Sequence, residues 1–253
     1  MFANKRMAEI CRLLQKNGSV LTSELSEKFG VSIETIRRDL LTLECKNKLV
    51  RVHGGAVPTN DIPYVPLEER IKNNKDKKHT LAKTACKFIE NGDIIALDSG
   101  STAMEFAEEL TINFSSLTVI TNSVDVFECL RAKPNFKIIF TGGTFIAEEN
   151  AFYGIVAENA LKQLHYKKAF VFPTAVSLKQ GISECKEYTA KIQKEIINRA
   201  DKVFALADSD KFEKSALFSV MPLNSLITFV TDTNLSEDIK KLYTEKGFDI
   251  KTE

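Results

Sequence analysis

Val31-Ser32-Ile33-Glu34-Thr35-Ile36-Arg37-Arg38-Asp39-Leu40, continuing to Arg51-Val52-His53-Gly54-Gly55-Ala56, decides how the N-terminal part of the chain is read. Ile33, Ile36, Leu40 and Leu43 recur at spacings of three, four and three, which places them on one buried stripe of a helix. At about 100° per residue the opposite face carries Glu34, Thr35, Arg38 and Thr42. Ser32 stands just before the run, where a hydroxyl can cap the first free N–H groups. A second helix precedes it, with Thr22 as expected N-cap, Glu24 in its first turn, and Leu25 and Phe29 as an apolar pair. Gly30 falls where a left-handed residue ends a helix. Only Gly30, Val31 and Ser32 then separate the two helices, which is helix-turn-helix spacing. Upstream, Met7, Ile10, Leu13 and Leu14 predict a first helix with Arg6 and Arg12 on its outer side.

After the third helix, Lys48-Leu49-Val50-Arg51-Val52 is short and β-prone, Gly54-Gly55 turns the chain, and Ala56-Val57 returns. These residues predict a two-stranded wing carrying Arg51 and His53 toward phosphates. Residues 1–57 hold ten Lys/Arg against six Asp/Glu, net +4, which leaves −3 for the rest of a chain of net charge +1. Positive charge is thus segregated where DNA would lie. Glu34, Thr35 and Arg38 point away from the helix core and are the candidates for base edges in the major groove. Arg37 lies nearer the buried stripe and either reaches a phosphate or pairs with a carboxylate. Ser32, Arg51 and His53 complete the candidate DNA-binding set.

Leu25-Ser26, Phe29, Val31-Ser32, Thr35-Ile36-Arg37-Arg38-Asp39-Leu40, Leu43-Glu44, Arg51 and His53-Gly54-Gly55-Ala56 together resemble the N-terminal signature of the DeoR family of bacterial transcription regulators. One departure is Asn47, where that family usually has Gly between helix and wing.

Composition bounds the rest. A length of 253 residues holds one large or two smaller domains. No apolar run reaches the ~18 residues needed to cross a membrane, and the charged N-terminus is unlike a signal sequence, so a cytoplasmic protein is expected. Five cysteines (11, 45, 86, 129, 185) never form a CxxC pair and are read as reduced thiols. Three scattered histidines suggest no metal site, and no cofactor motif is present.

Pro58, Pro63 and Pro66 mark a stiff, polar linker over residues 58–66. A charged helix is predicted over Leu67 to Ile89. Short apolar runs then alternate with helical stretches: Ile94–Leu97, Leu117–Ile120, Phe136–Phe140, Ala169–Phe172, Val203–Leu206 and Leu226–Val230. The pattern predicts an α/β domain over 67–253, a mainly parallel sheet with helices on both faces. Ligands of such sheets bind beyond the C-terminal strand ends. There Asp98-Ser99-Gly100-Ser101-Thr102 combines small hydroxyl residues, a Gly and a helix N-terminus, which suits a phosphate. Thr121-Asn122-Ser123 and Gly142-Gly143 fall at equivalent ends. Lys211 is a candidate for a phosphate or sugar oxygen, and Asp208 for sugar hydroxyls.

The resemblance extends through Leu97–Thr102, Thr118–Ser123, Gly142-Gly143, Gly154, Ala169-Phe170, Gly181 and Leu206–Ser209 with Lys211-Phe212. It therefore covers essentially the whole chain. It implies a sensor domain similar in fold to ribose-5-phosphate isomerase that binds phosphorylated sugars. Asp210 stands where the family often has Ser, setting a carboxylate next to Lys211 in sequence. The expected protein is a regulator, most simply a repressor of a carbohydrate operon. It binds operator DNA as a homodimer or homotetramer, because paired half-sites multiply affinity. The alternative is a sugar-phosphate isomerase-like enzyme with a DNA-binding head; no residue pair in the sequence demands catalysis.

Overall fold

The Ser32 hydroxyl accepts a hydrogen bond from the Thr35 N–H and starts the third helix as its N-cap. Around that helix the computed structural model, which describes residues 3–17, 20–46, 48–52, 54–57 and 64–252, builds the first of two compact units. The units divide as Met1–Pro63 and Tyr64–Glu253. The first contains α1 (Ala3–Asn17), α2 (Thr22–Phe29) and α3 (Ile33–Cys45), with β1 (Val20–Leu21), β2 (Val50–Val52) and β3 (Gly55–Val57). Ile10, Leu14, Leu25, Ile36, Leu40 and Leu43 form its core, and Gly30 ends α2 in the left-handed region.

Four sequence expectations are corrected here. Ile33 has the right angular position but is 45 % exposed, because the first turn of α3 projects past the core. Thr22 is the buried first residue of α2 rather than its cap, and Leu21 occupies the cap position without a side-chain bond. Arg6 lies inside, paired with Asp39 of α3. The wing has a third strand, since β1 pairs antiparallel with β3. At that pairing a Cβ on Gly55 would stand 2.0 Å from the Val20 carbonyl oxygen, so only Gly lets the two backbones meet. Two-residue strands carry too little pattern to be seen in sequence.

The second unit contains α4 (Leu67–Lys72), α5 (Lys75–Cys86), β4 (Ile94–Leu97), α6 (Ser101–Asn113), β5 (Leu117–Thr121), α7 (Val124–Leu130) and β6 (Phe136–Phe140). Next come β7 (Thr144–Ile146), β8 (Ala151–Tyr153), α8 (Ile155–Lys162), β9 (Tyr166–Val171), β10 (Ala175–Ser177), β11 (Gly181–Glu184) and α9 (Glu187–Asn198). β12 (Ala200–Leu206), β13 (Phe218–Met221), β14 (Ile227–Val230), α10 (Glu237–Glu245) and β15 (Asp249–Lys251) complete it. The one helix expected over 67–89 is two, broken at Asn74, which takes a left-handed conformation.

Seven strands form a parallel sheet in the order β15-β14-β12-β9-β4-β5-β6. Alternate residues feed two cores. Ala96, Ile120, Ala169, Val203 and Phe229 face α8, α9 and α10, while Leu97, Val119, Phe170 and Phe204 face α5, α6 and α7. Helices thus cover both faces, as the continuous apolar runs predicted. The chain builds outward from β4 to β6, then returns to build from β9 to β15. The order therefore reverses between β4 and β9, which is where ligands bind in open α/β sheets. Two small antiparallel groups, β7–β8 and β10–β11–β13, were not expected.

Candidate DNA interface and ligand-binding site

The outer side of α3 presents exposed Glu34, Arg37 and Arg38. Thr35 is half-buried, and its hydroxyl lies 2.9 Å from that of Ser32, so both candidate contacts also organise the helix start. Arg37 stands 3.7 Å from Glu34, a solvated pair of little energetic weight. Among the described residues Arg38 has no ion-pair partner, which leaves its guanidinium available to a guanine edge. Arg51 is tied back to α3: its Nε donates to Glu44 at 2.7 Å and its backbone N–H to the same carboxylate at 2.9 Å. That bond fixes the wing against the helix and holds the Glu44 carboxyl below its usual range. His53 lies outside the described residues. A cleft is lined by Thr22, Ser23, Ile33, Arg37, Arg51 and Gly54, which explains what the exposed Ile33 faces. Thr22, read from sequence only as a helix cap, and Ser23 were not among the expected DNA contacts.

In the second unit the expected loops follow the C-terminal ends of β4, β5, β6 and β12. Asp98, Ser99, Ser101 and Thr102 follow β4 and are all buried. Asp98 accepts hydrogen bonds from the Phe172 N–H at 3.1 Å and from Gln193 Nε2 at 2.7 Å. The same Gln193 nitrogen donates to Glu184 at 2.7 Å. Glu184 also accepts from the backbone and hydroxyl of Thr174. Burial raises Asp98 well above the usual carboxylate range against the opposing Gln193 bond, and burial likewise raises Glu184. Ser99 shares a 2.8 Å hydrogen bond with the Tyr153 hydroxyl of β8. Gly100 leads into α6, and the Arg70 guanidinium lies over it, 3.6 Å from where a Cβ would stand.

Thr121 and Ser123 turn the chain from β5 into α7. Thr121 Oγ1 accepts the Ser123 N–H, and Ser123 Oγ caps the helix. Asn122 donates to the Phe152 carbonyl, and its buried Oδ1 has no partner among the described residues. Gly143 has φ 121, and a Cβ there would stand 2.5 Å from the Tyr153 carbonyl oxygen. Gly142-Gly143 therefore serves to pass the chain beneath β8. Asp208 accepts the Asp210 N–H at 3.1 Å and caps a short 3-10 turn. Lys211 donates to the Pro173 carbonyl at 2.8 Å, beyond the end of β9. Asp210, adjacent to Lys211 in sequence, does not pair with it: Asp210 binds Lys77 at 2.9 Å and Asn74 at 3.0 Å. The 3-10 turn directs successive side chains apart, so sequence neighbours do not meet.

Sequence reasoning missed two cations of this site. Lys78 of α5 is buried and donates to the Asn73 carbonyl at 2.6 Å and to the Arg70 carbonyl. Burial, with Lys211 nearby, pulls its pKa down to about 8. Arg70 of α4 donates through Nε to the Val65 carbonyl at 2.9 Å and pairs through Nη2 with the buried Glu149 carboxylate. Both residues sit in the charged run Glu68 to Lys78, which in sequence looks like any solvated helix face. Gln193 and Glu184 were also missed, for they come to Asp98 from 95 residues away and from the neighbouring small sheet. Among the described residues no cluster has the makings of a metal site. No helix among them is long and apolar enough to cross a membrane.

A doubly covered parallel α/β unit follows a three-helix unit with a small antiparallel wing. Residues 6–61 match the model of the DeoR-like helix-turn-helix domain, and residues 73–233 match that of the DeoR C-terminal sensor domain. The chain belongs to the DeoR family of transcription regulators. It is 30 % identical to the HTH-type transcriptional regulator GolR of Listeria innocua, over 99 % of both chains. It is 33 % identical to the lactose phosphotransferase system repressor of Streptococcus mutans, over 97 % of this chain and 99 % of that one. Among solved structures, ribose 5-phosphate isomerase A of Methanocaldococcus jannaschii aligns over 55 % of each chain at 19 % identity and a TM-score of 0.41.

Proposed function

We propose that this regulator represses a carbohydrate-uptake or catabolism operon and is released from its operator by a phosphorylated sugar. In this reading residues 1–57 bind DNA, 58–66 link, and 67–253 sense the sugar and self-associate as a dimer or tetramer. The observation that carries the sensor half is the Arg70 guanidinium over Gly100 at the start of α6, beside the point where strand order reverses, with Lys78 bonded to the Arg70 carbonyl and Lys211 to the Pro173 carbonyl beyond β9. A helix N-terminus offers free N–H groups and partial positive charge, and the cations add full charges in a partly desolvated setting. Asp98, Glu184, Gln193 and Asn122 line the same region and suit sugar hydroxyls. The resemblance to a lactose phosphotransferase system repressor supports a sugar-linked role. Operator DNA as the partner supports a cytoplasmic location.

Asp98 and Glu184 are both engaged with Gln193, so we read the site as binding rather than catalytic. Isothermal titration with hexose 6-phosphates, the free hexoses and inorganic phosphate tests this. Binding that needs both phosphate and sugar is expected. Turnover of ribose 5-phosphate, or preference for unphosphorylated sugar, would contradict it.

A further inference from the structure

α4 is held in place by the cations that a bound anion would recruit. It follows Tyr64 to Pro66, the first described residues after the connection to the DNA-binding unit. Arg70 sits near its end and makes three kinds of contact. Nε donates back to the Val65 carbonyl, Nη2 pairs with Glu149, and Nη1 lies over Gly100 at the start of α6. Lys78 binds the carbonyls of Arg70 and Asn73 at the C-terminal end of α4. Lys77 and Asn74, by contrast, are fastened to Asp210, which fixes the α4–α5 junction to the loop after β12.

Glu149 is anchored as well. It belongs to the turn between β7 and β8, and the end of β8 supplies the Tyr153 that binds Ser99. The adjacent Glu148 takes Lys186 and Tyr188, and Lys186 lies 4.1 Å over the Tyr64 ring. The segment 64–73 is thus a strap across the ligand loop, pinned at Asn74 and tied elsewhere through side chains.

We propose that Arg70 both contacts the bound phosphate and transmits its presence to the linker. This rests on the reading of residues 98–102 as a phosphate loop. A dianion at Gly100 competes with Glu149 for the guanidinium, since a bidentate Arg–phosphate pair is among the stronger charge-assisted contacts. The same anion draws Lys78 away from the α4 carbonyls. Both changes loosen α4 from its present ties while Asn74 stays pinned. Val65, bonded to Arg70 Nε, moves with it, and the chain leading to the DNA-binding unit is repositioned. The ligand acts through its differential contacts with the two arrangements of one strap, which is what linkage requires.

The test uses the full-length chain as wild type, Arg70→Met, Arg70→Lys and Glu149→Gln, each checked for folding by circular dichroism. Operator Kd is measured without ligand and at saturation. The probes are glucose, fructose and galactose 6-phosphates and inorganic phosphate. Wild type is expected to show coupling of about fivefold or more. Arg70→Met should bring the coupling to about one even when ligand saturates, and Arg70→Lys should restore part of it. Glu149→Gln should shift the ligand-free operator Kd toward the liganded wild-type value and speed amide exchange over residues 65–72. Coupling that persists in saturated Arg70→Met would overturn the relay and leave Arg70 as a ligand contact only. Unchanged operator Kd and exchange in Glu149→Gln would overturn it too. A wild type unresponsive to every probe would remove the phosphate reading and the relay together.

Discussion

Arg6 and Asp39 face each other at 2.5 Å inside the DNA-binding unit, joining the first helix to the recognition helix across 33 residues. The second contact, Arg6 Nη2 to Asp39 Oδ1 at 3.2 Å, makes the pair bidentate. The aspartate that follows Arg37-Arg38 is therefore structural, and the two arginines before it are turned outward. Removing one partner strands the other charge where water is scarce. Asp39→Ala is expected to destabilise this unit by about 3 kcal/mol and to abolish operator binding at raised temperature. Replacing both residues, as in Arg6→Met with Asp39→Leu, should recover much of that loss. Thermal melts of the four variants in a double-mutant cycle measure it.

Arg38 and Arg37 are expected to differ in kind. Arg38→Ala should cost about 1–3 kcal/mol against the operator and much less against scrambled DNA, as a base-reading contact does. Arg37→Ala should weaken both DNAs alike and lower the slope of log K on log salt by about one. Anisotropy titrations at several salt concentrations separate the two; equal loss on both DNAs for Arg38→Ala would make it a phosphate contact.

In the proposed site, Lys78 sets the sign of a pH dependence of ligand binding. Its folded pKa is about 8, held down mainly by burial and next by Lys211, while Asp208 and Glu105 pull it up and Arg70 pulls it down. A sugar phosphate is already a dianion above its second pKa of about 6. Binding above pH 8 must therefore protonate Lys78, and affinity should fall as pH rises from 8 to 9. For stability the sign is opposite. The unfolded lysine, near 10.5, holds its proton while the folded one has released it, so this group makes folding more favourable as pH climbs from 8 toward 10.5. Lys78→Met should weaken binding and flatten the pH profile; calorimetry in buffers of different ionisation enthalpy counts the proton.

Asp98 and Glu184 act in acid. Both are raised by burial, so the folded chain holds their protons at pH values where the unfolded chain has lost them. Their stabilising contribution is whole below the ordinary carboxylate range and declines as pH rises toward the raised folded values. Asp98→Asn should flatten that decline. Melting temperatures between pH 4 and 8 would show it, and a slope unchanged by the substitution would place the titration elsewhere.

The legible parts of this chain were those written in local periodicity. The stripe of Ile36, Leu40 and Leu43, the Ser32 cap and six of the seven parallel strands follow from neighbours a few residues apart. The loops 98–102, 121–123 and 142–143 were found because small residues after an apolar run mark strand ends. What stayed hidden depends on residues meeting from afar. Arg6 looks like a solvated outer charge until Asp39 is placed beside it. Arg70, half-buried, and Lys78, buried, lie in a charged stretch that reads like a solvated helix face until the Val65, Arg70 and Asn73 carbonyls and Glu149 are placed beside them. Asp210 neighbours Lys211 in sequence yet binds Lys77, because a 3-10 turn separates what the sequence sets side by side.

The most direct measurement is the affinity of the full-length protein for the DNA upstream of its own operon, with and without a panel of hexose phosphates. Specific binding that one phosphorylated sugar weakens about fivefold or more, and that the free sugar leaves unchanged, is expected. Specific binding that no phosphorylated sugar alters would contradict the sensor site built from Arg70, Lys78, Lys211 and the 98–102 loop.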